Sequence, residues 1–136
     1  MNDANSPTQD GNVARPSSRD AEVGTVHVLL GGTKTRVVLS GDIDAELAPD
    51  LVEAATEVAD ARRPVEVDTQ HVTFMDSTGV AFLARLAGGA STRPVVISPP
   101  EEVRFLLEIT RIGDLVDIAE DDPGRDDSLP PGTGVA

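Results

Sequence analysis

Strand-like and helix-like hydrophobic patterns alternate between residues 25 and 119, and this alternation limits the folds that the chain can adopt. Residues 25–30 (TVHVLL) and 35–41 (TRVVLSG) are predicted strands. The short connection between them, GGTK, is typical of antiparallel neighbours. A helix is predicted to begin near Pro49, because apolar residues then recur at spacings of three and four. Its predicted buried face consists of Leu51, Val52, Ala55, Val58 and Ala59.

The second half of the pattern contains two more strands and two more helices. Residues 64–70 (PVEVDTQ) and 93–99 (RPVVISP) are predicted strands, and a helix starting after Asp76 lies between them. Its predicted buried stripe consists of Val80, Leu83, Leu86 and Ala87, with Phe82 at the edge. The next predicted helix places Val103, Leu106, Leu107 and Thr110 on one face. The segment DLVDIA (114–119) is either a last short strand or the chain returning to the core.

This order predicts an α/β fold. Helices between strands imply right-handed parallel crossovers, so we expect one domain with a mixed, mostly parallel sheet, an antiparallel edge hairpin at the N-terminus, and helices packed against the sheet. We place this domain at residues 22–119. Residues 1–21 and 120–136 are predicted to be disordered tails, since their Ser, Pro, Gly and Asp content offers little apolar surface to bury, and the second tail is acidic.

Composition excludes several classes of protein. The chain contains no cysteine, which excludes disulfide scaffolds and thiolate chemistry. Its net charge of -13 repels nucleic-acid phosphates and anionic membranes, and favours a basic protein surface as partner. Neither a signal peptide nor an apolar run of about 18 residues is present, so we expect a cytoplasmic protein without a membrane segment.

The stretch MDSTG (75–79) stands where the third strand passes into a helix. Asp76 is a predicted N-cap whose carboxylate accepts from the amide of Thr78 or Gly79, and Ser77 is the first helical residue. Capping alone is a sufficient reason for these residue types. A catalytic role for Ser77 would need a general base, and neither His27 nor His71 has a pattern that links it to Ser77. No phosphate-binding glycine loop and no clustered metal ligands are present.

Three sequence motifs, in this order along the chain, resemble those of a known family. SGDID (40–44) follows the second strand, a hydrophobic residue and Asp76 lead into STGV, and LEITRIGDLVDI (107–118) closes the unit. Together they resemble a STAS domain, specifically a free-standing bacterial anti-sigma factor antagonist, over residues 25–119. Ala81 stands where many switching members of that family have a second glycine.

The resemblance implies a binding protein in transcription regulation, not an enzyme, with no cofactor of its own. Members bind an anti-sigma factor with serine kinase activity when unphosphorylated, and so release a sigma factor. ATP and Mg²⁺ belong to that partner, and a PP2C-type phosphatase reverses the switch. The implied phosphorylation site is Ser77, and we expect a monomer when the protein is free. The implied partner-binding residues are Asp42, Asp44, Met75, Asp76, Thr78 and Gly79.

Some alternatives remain open from the sequence. Thr78 is the rival phosphoacceptor, and Met75 either contributes to the contact or packs beneath the turn. A STAS scaffold that binds a partner without phosphorylation, and a small-ligand carrier or enzyme that uses the turn, are the competing functions.

Overall fold

The structure is a computed structural model that describes residues 22–121. The predicted tail at residues 1–21, and all but the first two residues of the tail at 120–136, lie outside the described residues. The strands are β1 (Thr25–Leu30), β2 (Thr35–Ile43), β3 (Val65–Met75), β4 (Val95–Ile97) and β5 (Asp117–Ala119). The helices are α1 (Ala48–Ala61), α2 (Ser77–Gly89) and α3 (Glu101–Ile109), with short 3-10 helices at Ala45–Leu47 and Ile112–Leu115.

The five strands form one sheet in the order β1-β2-β3-β4-β5. β1 and β2 pair antiparallel, from Thr25 opposite Ser40 to Leu30 opposite Thr35. The remaining neighbours pair in parallel, and a helix connects each of them to the next. The predicted fold class is therefore confirmed: a mixed, mostly parallel sheet with an antiparallel hairpin at one edge. The segment at 114–119 contains both a 3-10 turn and a last short strand.

β3 is much longer than the strand predicted at residues 64–70, since it continues to Met75. It pairs with β2 throughout, but the register shifts between Val38 and Ser40 and again between Gly41 and Asp42. At each shift β3 contributes one residue more than β2, which is the geometry of a β-bulge. The bulges break the alternation of apolar and polar side chains, and alternation was the signal that placed the strand end too early.

The core lies between one face of the sheet and the helices. Val37, Leu39, Val67 and Val96 are fully buried there. The helices contribute a second set of buried side chains, which is Leu51, Ala54, Ala55, Val58, Val80, Phe82, Leu83, Leu86, Val103 and Leu107.

Four predicted packing positions were wrong. Val52 is 54% exposed and Ala59 is exposed, because α1 turns Ala54 towards the core with Leu51 and Val58. Phe82 is buried instead of lying at the edge of its stripe. Thr110 is exposed because α3 ends at Ile109.

Charged side chains alternate with these core residues along β2 and β3. Arg36 bridges Glu66 at 3.0 Å and Asp68 at 3.2 Å, and Lys34 contacts Glu66 at 2.8 Å. Each of these strand residues is one position from a core valine, so this network lies on the opposite face of the sheet. The two carboxylates are largely buried, and the ion pairs supply the partners that such groups need.

Within residues 22–121, the helices are too short and too polar for any of them to cross a bilayer.

Candidate functional site

The end of β3 passes into α2 at Asp76, which is the N-cap of the helix. Its backbone is extended, and its Oδ1 accepts a hydrogen bond of 2.8 Å from the amide of Thr78. The Asp76 carbonyl accepts from Gly79 and Val80, and the Asp76 amide donates to the carbonyl of Ile43 at 3.2 Å. The predicted cap is confirmed. Because the bond from Asp76 to Ile43 joins the C-terminal ends of β2 and β3, it fixes the start of α2 at that end of the two strands.

Gly79 allows α2 to pack directly on the end of the sheet. A Cβ atom at this position would lie 2.5 Å from Met75 Cγ, 2.9 Å from Met75 Sδ and 3.0 Å from Ile43 Cγ2, closer than ordinary contact. Met75 is only 4% exposed, so of its two predicted positions the structure has the one beneath the turn. Met75 and the buried Gly79 therefore support the turn from below and offer little surface to a partner.

Ser77 is exposed at the first position of α2, whereas Thr78 beside it is half-buried. Neither hydroxyl has a hydrogen-bond partner among residues 22–121. The two histidines are also exposed, but they lie in β1 and β3 and form no hydrogen bond with Ser77. The hydroxyl of Ser77 is thus available at the surface without a base that would activate it as a nucleophile.

A groove with a volume of about 410 Å³ runs between α1 and α2 and begins at Ser77. Its lining residues, which are mostly apolar, are Ala48, Leu51, Val52, Ser77, Thr78, Ala81, Phe82 and Arg85. Val52 is exposed because its side chain lines this groove and does not pack in the core. An exposed hydroxyl at the end of an apolar groove can be contacted by a partner that covers both.

Acidic side chains surround the end of β2, next to the turn. Asp42 is 8% exposed and accepts a 2.7 Å hydrogen bond from the hydroxyl of Thr73, while the carboxylate of Asp44 accepts from the amide of Glu46 at 3.1 Å. With Glu22, Glu46 and Asp50 they line a shallow pocket of about 380 Å³. No group of three metal-ligating side chains with suitable geometry occurs in the described part of the chain. We call Glu22, Asp42, Asp44, Glu46 and Asp50 the acidic rim.

A family model described as "Mlab, STAS domain" matches residues 26–117 of the chain. The chain belongs to the STAS domain family. Membership places it among regulatory binding proteins and not among enzymes. No curated protein matches its sequence.

Solved structures with the same fold carry a common description. An anti-sigma factor antagonist from Mycobacterium paratuberculosis superimposes with a TM-score of 0.64 at 24% identity, covering 71% of this chain and 86% of that one. The anti-sigma factor antagonist SpoIIAA in its unphosphorylated form gives 0.54 at 16%, covering 71% and 88%. A third structure with this fold, from Thermotoga maritima, gives 0.59 at 16%, covering 73% and 88%. At these identities the likeness shows a shared fold.

Sequence reasoning missed part of the site in this STAS domain. It placed Val52 in the core and gave no role to Ala81 or Arg85, although all three line the groove. A weak signal was present, since Ser77, Ala81 and Arg85 are spaced by four residues and must share one face of the helix. Nothing in the sequence indicates that this face lies beside Val52 of α1.

Proposed function

We propose that this STAS domain is an anti-sigma factor antagonist. In its unphosphorylated form it binds an anti-sigma factor that has serine kinase activity, and the sigma factor is thereby released. Phosphorylation of Ser77 by the same kinase ends the binding, and a PP2C-type phosphatase restores it. The protein acts in the cytoplasm and is a monomer when free.

The observation that carries this proposal is the placement of Ser77. Its hydroxyl is exposed at the first position of α2, has no protein partner within the described residues, and stands at the mouth of the apolar groove. A kinase can reach such a hydroxyl without unfolding any element. Thr78 is the less accessible of the two, because it is half-buried.

A phosphate on Ser77 is compatible with the fold. The first amides of a helix have no intrahelical acceptors, and the helix dipole favours negative charge at this end. The phosphoryl group would therefore be tolerated where it is formed, and no rearrangement of the sheet or helices is required for the switch. The change is local, since a hydroxyl donor is replaced by a bulky group with a charge of about -1.5 to -2.

The apolar groove beside Ser77 explains why this local change would weaken a complex. A partner that covers the groove would bury the phosphate next to Asp76, where charge repulsion and the loss of water around the phosphate both oppose binding. An alanine at this position adds neither charge nor bulk, so it leaves such a contact in place. A combined loss of about 2 to 3 kcal/mol weakens binding by about 30- to 150-fold.

The test uses the full-length chain and purified anti-sigma factor kinases from the same genome, with ATP and Mg²⁺. We expect one phosphate per chain by intact mass, located at Ser77 by peptide sequencing and removed by a PP2C-type phosphatase. Binding is then measured for Ser77→Ala and Ser77→Asp. We expect the alanine variant to bind the kinase like the wild type and the aspartate variant to bind at least about tenfold more weakly.

Thr78→Ala and Thr78→Asp are the matched controls, since they make the same changes one residue away. Equal affinity of Ser77→Ala and Ser77→Asp for the kinase would refute the switch. Binding without any phosphorylation would instead support a STAS scaffold that is not controlled by phosphate. Phosphate on Thr78 alone would transfer the acceptor role to that residue.

A further inference from the structure

A second cavity lies between the C-terminal halves of α1 and α2, at the opposite end of α2 from Ser77. Its volume is about 760 Å³, which is within the range of small-molecule sites in proteins. One wall is apolar and includes Ala55, Val58 and Leu86. Apart from Arg85, which also lines the groove at Ser77, the lining residues of this cavity belong neither to the turn nor to the groove.

Among residues 22–121, the charged lining of this cavity is entirely basic. Arg62, Arg63 and Arg85 contribute to it, and no described Asp or Glu does, although the chain carries 24 acidic residues and a net charge of -13. Arg63 donates to the carbonyl of Gly31. Arg62 and Arg85 have no ion pair or side-chain hydrogen bond with any residue in the 22–121 range. Three guanidinium groups thus line a space to which the described part of the chain contributes no carboxylate.

Helix capping accounts for only part of this cluster. The helix dipole favours a cation at the C-cap of α1, which is Arg62, but neither α1 nor α2 has a basic residue in its last turn. Arg62 follows α1 in a left-handed conformation with φ of 55°, and Arg85 lies in the body of α2. Their common feature is the cavity.

Two glycines at the end of α2 point to the same space. Gly88 and Gly89 line the cavity, yet an added Cβ at either position would meet no atom within 4 Å, and neither residue has a positive φ. Packing and backbone conformation therefore do not require glycine, which costs a helix about 1 kcal/mol relative to alanine. Their absent side chains keep the cavity open and let a ligand approach the backbone.

We infer that this cavity binds a small molecule carrying phosphate groups, held by Arg62, Arg63 and Arg85. Guanidinium groups match phosphate oxygens in bidentate geometry, and the apolar wall accommodates the non-ionic part of the molecule. This site shares Arg85 with the groove at Ser77, but it lies at the other end of α2 and does not depend on the proposed partner switch.

The test is isothermal titration calorimetry of the full-length chain with inorganic pyrophosphate, at about 0.15 M salt to suppress non-specific charge effects. We expect saturable binding, and chemical-shift changes centred on the amides of Gly88 and Gly89. Arg62→Ala is the cleanest variant, because Arg85 also lines the groove at Ser77. Removing one charge-assisted contact should weaken pyrophosphate binding by about tenfold or more.

Two further variants distinguish specific pyrophosphate binding in the cavity from non-specific attraction to positive charge. Gly88→Leu should fill the cavity and abolish binding while the chain stays folded, because there is open space around that position. Arg111→Ala removes the same charge from an exposed residue that pairs with Asp114, and it should bind pyrophosphate like the wild type. Absence of pyrophosphate binding, or equal effects of Arg62→Ala and Arg111→Ala, would overturn the inference. Tighter binding of an octaglutamate peptide than of pyrophosphate would overturn it in favour of an acidic protein segment.

Discussion

Replacing Gly79 by alanine tests how α2 is seated on the sheet. Helix propensity alone predicts a gain in stability, since glycine costs a helix up to about 1 kcal/mol relative to alanine. The structure predicts the opposite, because the new Cβ would lie 2.5 Å from Met75 Cγ and 3.0 Å from Ile43 Cγ2, where carbon atoms normally stay about 3.5 to 4.0 Å apart. Overpacking of this kind costs about 1 to 3 kcal/mol, so after the propensity gain we expect a net loss of up to about 2 kcal/mol.

The matched control is Gly88→Ala in the same helix. Its new Cβ meets no atom within 4 Å, so only the propensity effect remains and a gain of up to about 1 kcal/mol is expected. Urea unfolding of both full-length variants, followed by circular dichroism, gives the two changes in the free energy of unfolding. Because both variants gain the same helix propensity, they should differ by the overpacking cost alone, about 1 to 3 kcal/mol, with Gly88→Ala the more stable.

A second substitution identifies the atoms that clash. On a Met75→Ala background the Cγ and Sδ atoms are absent, so Gly79→Ala should cost less than it does in the wild type. The coupling free energy from this double-mutant cycle should be about 1 kcal/mol or more. If Gly79→Ala were as stable as Gly88→Ala, the close packing of α2 on the strand ends would be refuted.

The other predictions concern the cap, a buried hydroxyl and the ion-pair network. Asp76→Ala removes the side-chain bond to the Thr78 amide and should lower the free energy of unfolding by about 1 kcal/mol, whereas Asp76→Asn should retain most of it, as measured by urea unfolding. Thr35 is fully buried and its hydroxyl has no partner within the described residues, so Thr35→Val should raise the melting temperature, with a gain of about 1 kcal/mol. Arg36→Ala leaves the largely buried carboxylates of Glu66 and Asp68 without this partner. It should lower the free energy of unfolding by about 2 kcal/mol, a value that allows for the partial contact of these carboxylates with water. A decrease below about 0.5 kcal/mol in urea unfolding would contradict this prediction.

The order of strands and helices was predictable because it depends on short-range signals. The apolar periods of two and of about 3.6 residues, and the cap at Asp76, are visible within a few residues of sequence, and the structure has them where they were expected. The STAS resemblance rested on the same local stretches and agrees with the family match over residues 26–117.

The length of β3 and the face of α1 were not predictable in this way. β3 continues to Met75 because its bulged pairing with β2 keeps it in the sheet after the alternation stops. Val52 fits an apolar helical stripe, but the direction in which α1 faces the sheet is set by contacts with distant strands and with α2. The sequence contains the residues of the groove and gives no indication of their neighbours.

By itself the sequence determined the α/β class, the order of the elements, and a serine at the first helical position after a capping aspartate. These depend on propensity, periodicity and turn chemistry, which act between residues close in the chain. Only the tertiary structure decided that Met75 is buried, that Gly79 is needed for close packing, and that Arg62 and Arg85 face one cavity. Those facts depend on how α1 and α2 pack side by side on the sheet, and contacts between distant segments leave no local pattern in the sequence.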